Sequence, residues 1–413
     1  MRYIKNNMEN QKKNFIWNTI GITFNAFTSL FFLVIINRIN GTETGGIFSY
    51  TFSLACLFYV IALFYNRTYH VADVKNEFSN NQYITNRIIS CFITVLFVFV
   101  FSFLSKFNNE KFLMFLFLML YKCIEALADC FHGFIQKKEQ LHYVGKSLFL
   151  KALFSIILFC IVDLLSKNIL LSIIPIIIVN LIGTLIDIKK YLNLYNDKIK
   201  FCLKSSIKIY KSSLSLFIFS FLIIFINNCQ KYVAGYVMED SLQNILGIII
   251  MPATMLTLCG QYLINPYLTK LSNLYKDSNL KEFKKILFTI IGIFLLMGIF
   301  ILIIAYILGI PVLNILYSTD LTNYKISFLI IVVGAVFYSI SSIISNCLTI
   351  LRRNNEQLAL FIISSIISVV SSIFLINTKK IIGASYAYFI TMFLHCLFSF
   401  LIINYYLNER RKK

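Results

Sequence analysis

Residues 169–228 read ILLSIIPIIIVNLIGTLIDIKKYLNLYNDKIKFCLKSSIKIYKSSLSLFIFSFLIIFINN. Two apolar runs, 169–186 and 212–228, flank the basic segment KKYLNLYNDKIKFCLKSSIKIY (189–210). Each run approaches the roughly 20 residues that carry a helix across a bilayer core. Both are continuous rather than alternating, which excludes barrel strands. Outward from this stretch, further runs lie near 15–36, 47–64, 88–105, 112–131 and 146–165 on one side. On the other side they lie near 245–266, 286–309, 326–350, 358–376 and 381–403. The expected fold is an all-α integral membrane protein of about twelve transmembrane helices in two six-helix lobes, residues 1–190 and 212–413, joined by a basic cytoplasmic linker at 191–211.

Composition agrees with that class. Of 413 residues, 58% are hydrophobic and 14% charged, and the mean hydropathy of +0.77 excludes a soluble multidomain chain. The net charge of +20 would suggest nucleic acid in a soluble protein. Here 28 basic residues fall on the tails and even-numbered loops, 8 fall on odd-numbered loops, and Lys122 and Lys151 lie inside helices. The positive-inside rule then places both termini in the cytoplasm. Anionic membrane lipids become the expected partner of this charge, and nucleic acid does not. The first apolar run is long, contains Asn and Thr, and lacks a small-residue cleavage site, so it reads as a spanning helix rather than a removed signal. Ten cysteines without a CxxC pair read as packing residues.

The halves show weak repeats. IQKKEQL (135–141) follows the fourth run and ILRRNNEQL (350–358) follows the tenth, while LIDIKKYLNLY (185–195) and LIINYYLNERRKK (401–413) close the two halves. Together they predict parallel lobes related by an axis along the membrane normal.

Polar residues inside apolar runs are the candidates for function. Asn18, Asn25 and Ser29 in the first run, and Ser213, Ser220 and Asn227 in the seventh, stand on single helical faces. Such faces turn toward protein or water, as interhelical glue or as the lining of a hydrophilic cleft. Thr254, Thr257, Gln261 and Asn265 form a similar face in the eighth run. Lys122, Glu125 and Asp129 share a face of the fourth helix, and Lys151 lies in the fifth at a depth between the two acids. Intramembrane charges are costly and ordinarily pair or mark a pathway. The expectation is a Lys151 pair with Glu125 or Asp129, with anion binding by the lysines, or H+ or Na+ coupling by the acids, as alternatives. Arg38 and Lys231 at helix ends, with Arg67, are expected either to snorkel or to line the cleft and hold phosphate oxygens. Nothing resembles a P-loop, a metal-spaced His/Cys cluster or a nucleophile motif, and external loops of about 16 residues or fewer leave little room for a membrane polymerase site. No enzyme activity, catalytic residue, metal or cofactor is expected.

Two stretches carry a resemblance, KNFIWNTIGITFNAFTSLFFLVIINRINGTETGGIFSY (13–50) and INNCQKYVAGYVMEDSLQNILGIIIMPATMLTL (226–258). The chain resembles polysaccharide-transporter proteins, the O-antigen flippase-like branch of the multidrug/oligosaccharidyl-lipid/polysaccharide exporter superfamily. The resemblance implies a two-lobed, V-shaped flippase fold in the bacterial plasma membrane, moving undecaprenyl-pyrophosphate-linked oligosaccharide outward by alternating access. It implies cavity cations, which map to Arg38, Arg67 and Lys231. It also expects Gln where His70 stands and an acid where Asn228 stands, which weakens ion coupling at 228. Energy would come from a coupling ion (H+ or Na+) or from the membrane potential, and other polysaccharide-assembly proteins are candidate partners. Rival readings are a small-molecule or drug exporter of the same fold and a non-transporting scaffold of the glycan machinery. The major-facilitator alternative lacks its Gly-Asp-Arg signature between the second and third runs.

The charge count makes a topological prediction. With native cysteines replaced, a cysteine at Asn40 is expected to react with an impermeant thiol reagent in intact cells and one at Asn196 only after permeabilisation. The opposite pattern would invert the topology.

Overall fold

Long apolar runs without Pro or Gly clusters have one way to satisfy their backbone in lipid, and the chain takes it throughout. The computed structural model describes residues 2–64, 66–73, 77–203 and 206–409, and these contain helices and turns but no strand. The helices are α1 (Arg2–Ile39), α2 (Thr42–Leu63), α3 (Asn66–Ala72), α4 (Asn80–Leu104), α5 (Asn109–Lys137), α6 (Leu141–Ser166) and α7 (Ile169–Tyr195). There follow α8 (Ser206–Val237), α9 (Asp240–Ile264), α10 (Leu268–Lys276), α11 (Leu280–Ile304), α12 (Ile310–Tyr317), α13 (Lys325–Ile350) and α14 (Asn354–Glu409). The protein is a multi-pass membrane protein.

Ten helical stretches among the described residues are long and apolar enough to cross a membrane. Two features reconcile this number with the expected twelve. α5 fails on composition because Lys122, Glu125 and Asp129 interrupt its apolar run. α14, with 56 residues, counts once although it is two helices. Its backbone breaks at Lys380 (φ 49°, ψ −124°), and Ser364 Oγ lies 2.8 Å from His395 Nδ1 while Tyr406 donates to Glu356 at 2.7 Å. A straight helix would separate those pairs by about 45 Å and 75 Å at 1.5 Å per residue, so the chain reverses at Lys380.

The chain forms two compact units, Met1–Phe221 and Leu222–Lys413. The division falls inside α8, ten residues later than the expected start of the second lobe. The N-terminal half of α8 is held by the first unit: Ile209 is fully buried in a cluster with Tyr83, Phe131, Phe134 and Tyr191. Tyr210 hydrogen-bonds Ser90 at 2.8 Å, and the Phe217 ring stacks on Phe64 at 4.4 Å.

The two halves share a helix-ending turn, at a register other than that of the matching letters. After α5, Gln140 N–H donates to Ile135 C=O and Glu139 has φ 59°; after α13, Arg353 N–H donates to Leu348 C=O and Arg352 has φ 59°. These are the same helix-ending turn, with a left-handed residue closing a six-residue hydrogen-bonded loop. Glu139 is thus equivalent to Arg352, whereas matching the EQL letters would pair it with Glu356, one helical turn later. The next positive-φ residues, Lys167 and Lys380, stand at the same separation from these turns.

Within the first unit, α1 and α6 pack backbone to backbone. A Cβ on Gly145 would collide with the carbonyl of Trp17, and one on Gly21 with the carbonyl of Gly145. Small residues let helix backbones approach where lipid supplies no hydrophobic drive for association. Gly145→Val is therefore expected to lower thermal stability by more than the roughly 1–3 kcal/mol of ordinary overpacking, because backbone cannot yield as a side chain does. Gly292→Ala, whose Cβ meets nothing within 4 Å, is the matched control and should melt like wild type in a detergent thermal-shift assay.

Candidate functional site

Along α5, Lys122, Glu125, Asp129, His132 and Gln136 recur at spacings of three and four and so form one stripe. At 1.5 Å per residue it is about 21 Å long. Every member is matched from a neighbouring helix or from the stripe itself.

At one end, Lys122 Nζ donates to Glu125 Oε2 at 2.7 Å, and Asn25 of α1 donates to Oε1 at 3.2 Å. The rings of Phe52, Tyr59 and Tyr121 surround the ammonium at 5.2, 5.1 and 4.9 Å, close enough for cation–π attraction. Farther along, Asp129 takes Arg67 of α3 at 2.8 Å and Arg87 of α4 at 3.2 Å, one on each oxygen. Arg87 is only 1% exposed and also donates to the Ala62 carbonyl. Arg67 spans from Asp129 to the Gln136 amide oxygen, which it meets at 2.8 and 3.2 Å. On the side toward α7, Asp187 is fully buried and accepts from Lys151 of α6 at 2.8 Å and from Ser147 at 2.9 Å, with His132 Nε2 at 2.9 Å. Gly183 leaves the groove in which the Lys151 stem lies, since a Cβ there would collide with that stem.

A chamber of about 170 Å³ lies among these groups, lined by Asn25, Tyr59, Arg67, Glu125, Ala128, Asp129, His132, Leu148, Lys151 and Asn180. Four cations (Arg67, Arg87, Lys122, Lys151) face three carboxylates (Glu125, Asp129, Asp187), a balance of one positive charge with His132 neutral. Each carboxylate already holds a cation within 3.2 Å. Among the described residues, no group of three or more His, Cys, Asp or Glu is placed to hold a metal ion.

The end of the stripe is fastened by α3, outside the spanning segments. His70 is buried between Tyr83 and Phe134, its centroid 4.5 and 4.4 Å from theirs. Burial, helped by the nearby Lys137 charge, drops its pKa to about 3, so it stays neutral at physiological pH. Desolvation opposes ionisation of Asp73, but the backbone N–H groups of Glu77 and Phe78 and the Tyr83 hydroxyl outweigh it and lower its pKa. Lys137 donates to the Asp73 carbonyl at 2.9 Å.

The structure thus unites Asn25, Arg67, Lys122, Glu125, Asp129 and Lys151 in one unit. Lys151 pairs with Asp187 rather than with Glu125 or Asp129, because α7 continues to Tyr195 and carries Asp187 into the bundle. The drawn limits of the third and sixth runs, 88 and 186, left Arg87 and Asp187 each one residue outside. Continuing the helical stripe past the apolar boundary would have found both. Asn18 and Arg38, on α1, do not line the chamber. Asn227 and Lys231 belong to α8 in the second unit, where Asn227 donates to Tyr338 Oη at 2.7 Å. Thr254 and Thr257 donate to carbonyls of their own helix.

By the turn-defined register, the second-unit equivalents of Lys122, Glu125, Asp129 and His132 are Ala335, Tyr338, Ser342 and Ser345, and those of Lys151 and Asp187 are Ser364 and Phe400. The charged chamber therefore belongs to the first unit alone.

No protein-family profile matches the chain. Over 407 residues, 97% of this chain and 99% of the other, it is 24% identical to "Capsular polysaccharide biosynthesis protein CapF" of Staphylococcus aureus. An inward-facing multidrug resistance MATE family transporter of the MOP superfamily superposes with a TM-score of 0.72 at 12% identity, covering 97% of this chain and 99% of that one. The lipid II flippase MurJ in an inward closed conformation gives 0.70 at 16% identity, with 94% and 87% covered. The eukaryotic MATE transporter AtDTX14 gives 0.66 at 13%, covering 98% of each. The fold is that of this transporter group, over nearly the whole chain.

Removing one member of a buried ion pair commonly costs about 3–5 kcal/mol because its partner is left uncompensated. Lys151→Met is expected to lower the melting temperature and yield. Asp187→Asn in the same molecule should restore part of the loss, whereas Glu125→Gln or Asp129→Asn should not. Equal rescue by all three would dissolve the assigned pairing.

Proposed function

We propose that the protein is a flippase of the bacterial plasma membrane that moves an undecaprenyl-pyrophosphate-linked oligosaccharide from the inner to the outer leaflet, with both termini in the cytoplasm. The observation that carries this reading is the end-to-end similarity to a capsular polysaccharide biosynthesis protein, on a fold also used by a lipid II flippase. The sugar and pyrophosphate need a polar route while the prenyl tail can stay in lipid, and alternating access supplies such a route. Arg38, Arg67 and Lys231 are the cations proposed to meet the pyrophosphate. Arg67 is prepared for this role, since its guanidinium is already fixed at the edge of the chamber by Asp129 and Gln136.

The same chamber bears on the energy source. Glu125 and Asp129 hold Lys122, Arg67 and Arg87 at 2.7–3.2 Å, so a coupling proton or Na+ would have to displace a fixed cation. The membrane potential supplies about 2.3 kcal/mol per charge per 100 mV, and outward movement of an anion from an inside-negative cell is favoured. We propose the potential as the driving force.

A second reading, export of a small molecule, is favoured by the multidrug resistance transporter among the similar structures. Deletion in the native host decides between them. Loss of surface polysaccharide with accumulation of the lipid-linked precursor on the cytoplasmic side is expected. Drug sensitivity with intact polysaccharide would select the second reading, and neither phenotype would leave a scaffold. In proteoliposomes, Arg67→Gln should slow flipping at least tenfold, with Arg67→Lys less affected, and an inside-negative potential should accelerate the wild type. Equal rates for wild type and Arg67→Gln would remove the cation from the mechanism.

A further inference from the structure

The segment between α7 and α8 is basic, and its backbone is pinned. Asn81, in the first turn of α4, donates its side-chain amide to the Lys198 carbonyl at 3.2 Å and accepts from the Lys200 N–H at 3.0 Å. Thr85, one turn on, accepts from the Cys202 N–H at 2.9 Å. A carbonyl at 198 and N–H groups at 200 and 202, all turned to one side, follow the two-residue period of extended backbone. At the far end Ile209 is buried in the core and Tyr210 bonds Ser90.

What this pinning displays is unusual for a loop. Ile199, Phe201 and Leu203 alternate with Lys198, Lys200 and Cys202 and are 42%, 61% and 62% exposed, and Ile207 at the start of α8 is 70% exposed. Lys198, Lys200, Lys208 and Lys211 are exposed as well, against one acidic residue, Asp197, in the same stretch. The strip joins the end of one spanning helix to the start of the next, so it lies at the membrane border rather than in the hydrocarbon or far out in water.

We propose that residues 198–203, with Ile207, Lys208 and Lys211, form a docking strip for the anionic phospholipid leaflet. Ile199, Phe201, Leu203 and Ile207 enter the boundary between headgroups and acyl chains, and the four lysines meet lipid phosphates. Apolar side chains interleaved with Lys are the chemistry of interfacial anchors, and each lysine near an anionic surface contributes about fivefold to the association. Hydrogen bonds tie this strip to α4, the helix that supplies Arg87. The inference is independent of what the protein transports.

The test places a single tryptophan in the strip of the full-length protein, Phe201→Trp in a Trp17→Phe background, with Leu203→Trp as a second probe should the first fold poorly. The protein is reconstituted in phosphatidylcholine vesicles containing phosphatidylglycerol, with one or the other lipid brominated on its acyl chains. Quenching is expected to be several-fold stronger for brominated phosphatidylglycerol than for brominated phosphatidylcholine at equal mole fraction. That preference should fall toward parity when Lys198, Lys200, Lys208 and Lys211 are all changed to Gln. Equal quenching by both lipids in the wild type would overturn headgroup recognition. A tryptophan quenched by aqueous acrylamide but not by bromine would overturn membrane docking. Protection from both would mean that protein covers the strip, and would overturn the proposal equally.

Discussion

Neutralisation of charge inside the bilayer is the constraint on which the first unit depends. A single ionised side chain near the bilayer centre costs about 2.5–3.5 kcal/mol on insertion scales, and α5 alone brings Lys122, Glu125 and Asp129 into an apolar run. These three cannot balance one another, because Lys122 is spent on Glu125. Asp129 must therefore recruit cations from α3 and α4, while His132, the next polar residue of the stripe, shares Asp187 of α7 with Lys151 of α6. The pairings dictate which helices surround α5 and at what rotation. The glycine seam between α1 and α6 complements them, bringing Asn25 into reach of Glu125.

How far the sequence reveals this depends on the length scale of the signal. Helix class and number follow from runs of apolar residues long enough to average over individual side chains, and an average miscounts only where charge or continuity confuses it, in α5 and at Lys380. The site is harder because it turns on single residues at the ends of runs. Asp187 and Arg87 look like loop residues when a helix is taken to stop where hydrophobicity stops. Yet helices continue into the interface, and a polar residue one position beyond an apolar run keeps its place on the helical face. The repeat shows the same limit: shared letters, EQL, drew attention to the right loops, but backbone geometry, the left-handed Glu139 and Arg352, sets the register.

That register exposes an asymmetry between units built on one plan. Where the first unit places lysine, glutamate and aspartate, the second places alanine, tyrosine and serine, and its interior polar contacts include neutral ones: Asn227 with Tyr338, Ser364 with His395, Gln230 with Ser368. A neutral hydrogen bond contributes about 0.5–1.5 kcal/mol net, while uncoupling one member of a buried ion pair costs about 3–5 kcal/mol. Loss of a partner is therefore costlier in the charged cluster of the first unit than in a neutral pair of the second.

Fixed pairing of this kind suits a particular task. A cation that must meet a phosphate on every cycle is useful only if it is already oriented, since ordering a free arginine side chain costs up to about 1.5–2 kcal/mol each time. Arg67 is ordered in advance by Asp129 and Gln136 and keeps 25% of its side-chain surface exposed. Arg87, by contrast, is sealed off against Asp129 and the Ala62 carbonyl. On the proposed function, two arginines on one carboxylate divide the work: the buried one neutralises the acid, which leaves the exposed one with charge to spare for a ligand. With Arg87 absent, Asp129 would cancel Arg67 entirely, and the edge of the chamber would offer an anion nothing beyond a neutral surface.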